Sequence, residues 1–277
     1  MVRKRSGILF VTDLAYPAQG RRYGDEDVFL TSRLREEFDL ALCHPRDAVA
    51  LMDRFDAVVV RNSGPVLHYR EQFDEFRRRA GARGTLVYNP LTGRGDMAGK
   101  GYLLELTRAG YPVIPTVDRA ADAALLPDAD RYMVKPVAGA DSIGLSVVTP
   151  AELAGLSYDG VLVQPLVDIR HELSFYFVDH AFQYALYTPD PARRWELTPY
   201  HPTPADLAFA RRFVDWNTLS HGVQRVDACR TAQGDLLLVE LEDLNPYLSL
   251  DTVPFEQREA FVGALARSIH DLLRTGA

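Results

Sequence analysis

Cysteine is scarce in this sequence, and its scarcity argues against several kinds of protein. Only Cys43 and Cys229 occur among 277 residues, far apart and outside any CxxC pair or histidine pattern. A disulfide scaffold and a zinc site are therefore not expected. The seven histidines form neither an HExxH motif nor a Ser/His/Asp order, so no nucleophile motif is visible. The two thiols are expected to be reduced and structural.

Long runs of positive charge and long apolar runs are also missing. The formal net charge is -7, and the Lys/Arg runs of three are limited to residues 3–5 and 77–79, so a nucleic-acid footprint is absent. The first apolar stretch, residues 7–13, is too short for a signal or membrane segment. These absences predict a cytoplasmic protein whose partner is a small molecule, with no nucleic acid and no membrane.

What the chain does contain is an ordinary globular composition, 47% hydrophobic and 25% charged. Up to about residue 90, short apolar runs alternate with helical patterns, which predicts a parallel sheet with crossover helices. Strands and loops dominate after a proline-marked link, so the fold class is α/β (α+β). The predicted strands are 8–12, 40–42, 56–61, 85–88, 132–136, 144–148, 161–164, 172–178, 182–187, 223–229 and 235–241, and the predicted helices are 26–38, 70–80, 99–109, 204–219 and 255–274.

Residues 134–147 are typical of two strands joined by a small, polar loop with Lys135 at its base. Gly139 and Gly144 would let the backbone approach phosphate oxygens, and Ser142 would offer a hydroxyl. A cation beside such a loop can hold ATP without a Walker motif. An ordinary hairpin with an exposed lysine is the alternative interpretation.

Lys100 lies in a glycine-rich run, residues 93–101, that superficially suggests a P-loop. Arg94 and Gly101 stand where the Walker spacing requires glycine and Ser/Thr, so the pattern argues against a P-loop. A lysine at a helix start opposes the helix dipole, and a bound anion would remove that conflict. A solvated lysine is the alternative.

Two patterns near the end of the chain favour a metal site. Alternation within strands puts Arg225 and Asp227 on one face, and likewise Glu240 and Glu242. If the two strands are antiparallel neighbours, three carboxylates surround one spot, and hard oxygen ligands are what Mg²⁺ prefers. Carboxylates that all face solvent are the alternative.

Other candidates stand at strand ends. The apolar strand 161–167 runs into a proline-marked connection, which could present backbone groups to an adenine edge, while Glu172 could accept ribose hydroxyls. A domain hinge with a surface glutamate is the alternative. The candidate substrate contacts follow strands of the first sheet and could equally be loop-capping residues; they are Arg61, Asn62, Ser63, Asp13 and Tyr16.

Taken in order, residues 96–116, 134–148, 163–177 and 225–245 resemble consecutive signatures of the ATP-grasp superfamily, in the branch of D-alanine:D-alanine ligases and cycloserine-forming ligases. The first is the run Asp-x3-Lys-x2-Leu-x2-Leu-x3-Gly-x-Pro-x2-Pro-Thr from Asp96 to Thr116. The resemblance implies an N-terminal α/β domain at 1–92. A central lid subdomain at 93–165 and a C-terminal subdomain with the metal site at 166–277 would clasp ATP.

The resemblance also implies a role for each matching residue. Lys100 and Lys135 would contact ATP phosphates, and the loop from Gly139 through Ser142 to Gly144 would close over them. Arg225 would stabilise the transferring phosphoryl group. The adenine hinge would be lined by Gln164, Leu166 and Val167, the ribose held by Glu172, and magnesium bound by Asp227, Glu240 and Glu242.

The sequence departs from this family at two places. The last metal pair is commonly Glu-x-Asn, whereas here Glu242 follows Glu240 and Asn245 is displaced by three, so the third ligand stays open between Glu242 and Asn245. Residues 246–250 also replace the stretch that receives the second amino acid in D-alanine ligases. Dipeptide specificity is therefore not expected to transfer.

The implied activity is ATP-dependent ligation of a carboxylate to an amine through an acylphosphate, with release of ADP and phosphate. The carboxylate substrate would be an amino acid or a derivative of one. Two alternatives stay open: an intramolecular, ring-closing ligase of the cycloserine type, and a nucleotide-binding protein without turnover. The resemblance further implies a homodimer.

Overall fold

The computed structural model describes residues 5–18, 21–61, 66–137, 144–190, 193 and 196–276. Its strands are β1 (Gly7–Val11), β2 (Pro17–Ala18), β3 (Arg21–Arg22), β4 (Asp39–Cys43), β5 (Ala57–Val60), β6 (Val87–Tyr88), β7 (Tyr132–Pro136), β8 (Ser146–Val148), β9 (Val161–Pro165), β10 (Ile169–Val178), β11 (Ala181–Tyr187), β12 (Thr198–Tyr200), β13 (Val223–Thr231) and β14 (Leu236–Glu242). Its α-helices are α1 (Tyr23–Leu34), α2 (Ala48–Leu51), α3 (Arg70–Arg83), α4 (Tyr102–Arg108), α5 (Pro150–Leu153), α6 (Pro204–Asn217) and α7 (Phe255–Thr275).

The first sheet is parallel, in the order β4-β1-β5-β6. All four residues of β5 are buried, as expected of a strand that is covered on both faces. Helix α3 ends where Gly84 adopts φ 65°, a left-handed conformation that glycine tolerates best. The parallel sheet predicted for the first part of the chain is confirmed.

Two antiparallel sheets follow. The larger has the order β12-β11-β10-β13-β14, and the smaller has the order β8-β7-β9. Helix α6 begins with a capping box, in which Thr203 and Asp206 each accept a backbone N–H of the other. The sequence did not predict β12, because a three-residue strand that contains Pro199 gives little periodic signal.

The helix predicted over 99–109 is shorter in the structure. A 3-10 turn covers Asp96–Ala98, Gly99 then takes φ 84°, and α4 begins only at Tyr102. Lys100 therefore lies in the turn before the helix and not in its first turn. The conflict with the helix dipole that the sequence suggested is correspondingly smaller.

The larger antiparallel sheet is buried on both faces over part of its length. Phe175 and Val226 pack with α4 and α6, whereas Tyr184 packs with α7 and with residues of the first sheet such as Phe10. Helix α7 thus shares a core with the N-terminal sheet, and the boundaries at 92 and 165 stay predictions. In the described ranges, no helix is both long and apolar enough to cross a membrane. Cys43 and Cys229 are buried free thiols.

Candidate active site

A row of polar side chains lies on one face of strands β10, β13 and β14. The register pairs Ser174 with Asp227, Asp227 with Glu240, and Arg225 with Glu242, so residues from three strands meet side by side. The opposite face of the same stretch carries the buried Leu173, Phe175 and Val226, so strand alternation fixes which side chains reach the polar row. The antiparallel pairing on which the metal hypothesis depends is therefore present.

Arg225 lies at the centre of this row. Its Nε donates to Asp227 Oδ1 at 2.9 Å, its Nη2 donates to Asp227 Oδ2 at 2.8 Å and to Glu242, and its Nη1 donates to the carbonyl of Tyr247 at 2.9 Å. Burial alone would lower the pKa of Arg225, but the Asp227 and Glu242 carboxylates outweigh it and raise that pKa well above its ordinary value. The guanidinium is therefore a permanent, rigidly held positive charge.

Two lysines lie near this row but in different electrostatic settings. Lys100 Nζ donates to Glu240 Oε1 at 2.7 Å, and this carboxylate raises the pKa of Lys100 against the effect of burial. Lys135, on β7, has its pKa lowered to about 8 by burial and by the neighbouring Lys100 charge. Lys135 consequently sits where a further negative charge would be stabilised.

The three carboxylates of the row are crowded. Burial raises the pKa of Glu242 to about 8, and the nearby Asp227 and Glu240 charges add to that increase despite Arg225. Among the described residues, no three His, Cys, Asp or Glu side chains are arranged to hold a metal ion. The donor set nevertheless fits Mg²⁺ by its chemistry, because it offers only hard carboxylate oxygens whose mutual repulsion a divalent cation would relieve. The metal roles of these residues, and of Asn245, stay predictions.

The glycine-rich run before Lys100 binds a carboxylate of the protein itself. The backbone N–H groups of Gly95 and Met97 donate to Asp243 Oδ2 and Oδ1, each at 2.8 Å, and Asp96 Oδ1 accepts the N–H of Asp243 at 2.7 Å. A Cβ built on Gly93 would lie 2.3 Å from Asp243 Oδ2, and one on Gly95 would lie 2.6 Å from the Leu241 carbonyl. These glycines therefore allow the turn that carries Lys100 to pack against the end of β14, beside Glu240.

The residues predicted to hold the nucleoside lie around the junction of the two antiparallel sheets. Gln164 is buried on β9 and donates to Thr116 Oγ1 at 2.8 Å, whereas Leu166 is exposed and its N–H donates to the Arg131 carbonyl at 2.9 Å. Val167 follows in the connection to β10, and Glu172 lies on β10 opposite Cys229. Gly144 has φ 79° at the end of the predicted phosphate loop; Gly139 and Ser142 lie outside the described residues.

Three predicted substrate residues are described. Asp13 is buried and accepts hydrogen bonds from the Ala15 N–H at 3.0 Å and from the Tyr69 hydroxyl, while the Tyr16 ring lies 5.7 Å from that of His68. Arg61 is buried, and its guanidinium donates to Glu26, Asp27 and the Pro246 carbonyl. The structure thus places Arg61 inside a buried network and not on an open surface. Asn62 and Ser63 lie outside the described residues.

Three further residues shape the site, and the sequence predicted a role for none of them. Ser174 Oγ donates to Asp227 Oδ1 at 2.7 Å, and its position two residues after Glu172 on the same strand could have revealed it. Asp96 and Asp243 lock the Lys100 turn to β14. No local sequence pattern predicts that contact, because the two residues are 147 positions apart.

No protein-family model matches the chain, and no curated protein matches it. Among solved structures, D-cycloserine synthetase DcsG is 23% identical with a TM-score of 0.71, over 94% of this chain and 99% of that one. D-alanine--D-alanine ligase from Bacillus anthracis, complexed with ATP, is 12% identical with a TM-score of 0.67, over 98% of both chains. ATP-grasp ligase PsnB, complexed with a minimal precursor, Mg and ADP, is 17% identical with a TM-score of 0.62, over 99% of both chains. The shared fold extends over nearly the whole length of each chain.

Proposed function

We propose, from the ATP-grasp fold that this chain has, that it is an ATP-dependent carboxylate–amine ligase. The observation that carries the proposal is that Lys100 and Lys135 approach, from outside the sheet, the polar face that carries Arg225 and three carboxylates. Phosphoryl transfer needs charge neutralisation and alignment more than it needs a protein nucleophile. A site rich in fixed cations and hard oxygen ligands meets that need.

The reaction has two steps in this proposal. A carboxylate oxygen of the substrate attacks the γ-phosphorus of ATP and the bond to the β-phosphate oxygen breaks, which gives an acylphosphate and ADP. An amine then attacks the acyl carbon, an amide bond forms, and inorganic phosphate and a proton leave. Arg225 and Lys135 would offset the negative charge on the transferring group, and Lys100 would contact the ATP phosphates.

Magnesium would be held by Asp227, Glu240 and either Glu242 or Asn245, and it would supply charge neutralisation for the phosphates. Gln164, Leu166 and Val167 would line the adenine pocket, and Glu172 would bind the ribose. Gly139, Ser142 and Gly144 would belong to the phosphate loop. The substrate contacts proposed for Asp13, Tyr16, Asn62 and Ser63 rest on their places after strands of the first sheet.

A ring-closing reaction is the second candidate, because one of the structures with this fold is a D-cycloserine synthetase. In that case the attacking amine belongs to the activated molecule itself. Product mass separates the two reactions: ring closure loses one water and adds no second substrate, whereas intermolecular ligation joins two substrates with loss of one water.

The experiment is ADP release with magnesium over a panel of amino acids and amino-acid derivatives, followed by mass spectrometry of the products. Magnesium-dependent ADP release that requires a carboxylate substrate is the expected result. Nucleotide binding without turnover over the whole panel would instead favour a nucleotide-binding protein without ligase activity. The proposal further includes a cytoplasmic location and a homodimer, which fractionation and light scattering would check.

A further inference from the structure

Residues 246–250, the anchored segment, are held by buried side chains of the N-terminal region. Arg61 Nη1 donates to the Pro246 carbonyl at 2.7 Å. Glu26 accepts the N–H of Leu248 at 3.0 Å through Oε1 and the N–H of Leu250 at 3.2 Å through Oε2. The segment begins at Pro246, shortly after the end of β14 at Glu242, although its anchors precede it by 185 to 224 residues.

The two anchors support each other. Arg61 Nη2 lies 2.7 Å from Glu26 Oε1, and Arg61 Nε lies 2.9 Å from Asp27 Oδ1. The side chains of Arg61, Glu26 and Asp27 are 7%, 3% and 0% exposed, so little solvent screens these ion pairs. Removing one member of such a buried pair leaves the other charge uncompensated. Loss of any one member is therefore costly to the network.

The shape of the anchored segment explains how one carboxylate holds two amides. Ser249 takes φ 52°, a left-handed conformation that turns the flanking N–H groups of Leu248 and Leu250 toward the same point. The two N–H groups on either side of Ser249 form an anion-binding concavity, and the carboxylate of Glu26 fills it. The Tyr184 hydroxyl adds a hydrogen bond to the Leu248 carbonyl at 2.7 Å.

The middle of the anchored segment reaches the site. The Tyr247 carbonyl, which lies between the contacts made by Arg61 and Glu26, accepts the hydrogen bond from Arg225 Nη1 at 2.9 Å. The other acceptors of Arg225 named above are carboxylates, which neutralise its charge. The Tyr247 carbonyl orients the guanidinium without placing a further negative charge beside it.

We propose that Glu26 and Arg61 are positioning residues for Arg225, acting through the Tyr247 carbonyl. This inference rests on the proposed function, since it assigns the site's arginine a phosphoryl group to stabilise. It also gives Arg61 a role different from the direct substrate contact that its place after β5 suggested. Loss of either anchor frees the carbonyl, and Arg225 then points less well at the transferring group while the surrounding nucleotide contacts remain.

The test uses ADP with and without aluminium fluoride, a mimic of the transferring phosphoryl group, in the presence of magnesium. Wild-type protein is expected to bind the ADP–aluminium fluoride pair more tightly than ADP alone. Glu26→Gln is nearly isosteric and should reduce that preference about tenfold, with the affinity for ADP alone changed less than twofold. Glu259→Gln is the matched control, because Glu259 on α7 pairs with Arg33 Nε on α1 at 3.0 Å and has no part in the anchored segment. This substitution should leave the preference for aluminium fluoride unchanged.

A double-mutant cycle separates positioning from general destabilisation. In an Arg225→Lys background, Glu26→Gln should have less than a twofold further effect, because the residue it positions is already lost. Arg61→Lys, which keeps the charge but loses the forked geometry, should resemble Glu26→Gln. An unchanged preference for aluminium fluoride in folded Glu26→Gln protein, or equal effects in both backgrounds, overturns the positioning role. Wild-type protein that binds no ADP overturns the proposed function, and this inference with it.

Discussion

Nucleotide affinity should depend on pH through Lys135, whose pKa is lowered to about 8 by burial and by Lys100. Bound phosphates would return that pKa toward its ordinary value, so ATP binds best when Lys135 already carries its proton. The charged ammonium form of Lys135 predominates below pH 8 and is lost above it, so nucleotide affinity should fall as the pH rises. With a pKa of 8, affinity at pH 9 should be roughly tenfold weaker than at pH 7.

The assay is calorimetric titration with a non-hydrolysable ATP analogue and magnesium between pH 7 and 9, in buffers of different ionisation enthalpy to count protons. Proton uptake should be roughly half a proton near pH 8. Lys135→Arg is the matched control, because a guanidinium stays charged throughout this range. The carboxyl of Glu242, whose pKa is raised to about 8, also titrates in this range, and its loss of a proton should strengthen magnesium binding as the pH rises. Both proteins contain Glu242, so this effect is the same in the two titrations. Identical pH profiles for the two proteins would refute the reasoning.

Four further substitutions have expected outcomes. Gly95→Ala should lower the unfolding free energy by about 1–3 kcal/mol, because the new Cβ would lie 2.6 Å from the Leu241 carbonyl. Gly81→Ala is the control in helix α3: its Cβ would have no atom within 4 Å, so the unfolding free energy should rise by about 0.4–1 kcal/mol, and chemical denaturation measures both changes. Arg225→Lys should reduce turnover roughly hundredfold with ATP affinity nearly kept, because a lysine ammonium is a compact point charge without the planar fork that holds both oxygens of Asp227; steady-state kinetics would contradict this if turnover were unchanged. Lys100→Met should weaken ATP binding and destabilise the fold, because Glu240 loses its partner; unchanged affinity would reject its phosphate contact.

Much of the fold was predictable because its periodic signals are local. The buried strand Ala57–Val60 and the amphipathic helix α7 both follow from apolar spacing within a few residues. The strand alternation of β13 and β14 was also readable from the sequence, and their antiparallel pairing places Asp227 opposite Glu240 and Arg225 opposite Glu242. The predicted ATP-grasp fold is confirmed by the solved structures.

The rest of the site depends on contacts between distant parts of the chain. Nothing near Arg61 in the sequence shows that Glu26 and the Pro246 carbonyl surround its guanidinium. The glycine-rich run before Lys100 resembles a P-loop only superficially, and its N–H groups at Gly95 and Met97 bind the carboxylate of Asp243. In both cases a buried charge takes the place that local patterns assign to a ligand, and only the tertiary packing decides between them.

The central claim is that the polar face around Arg225 binds and turns over ATP, and one measurement tests it most directly. Magnesium-dependent ADP release with a carboxylate substrate should be present in the wild type and absent in Lys135→Ala and Glu240→Ala proteins that remain folded. Retained ADP release in either variant would contradict the corresponding role.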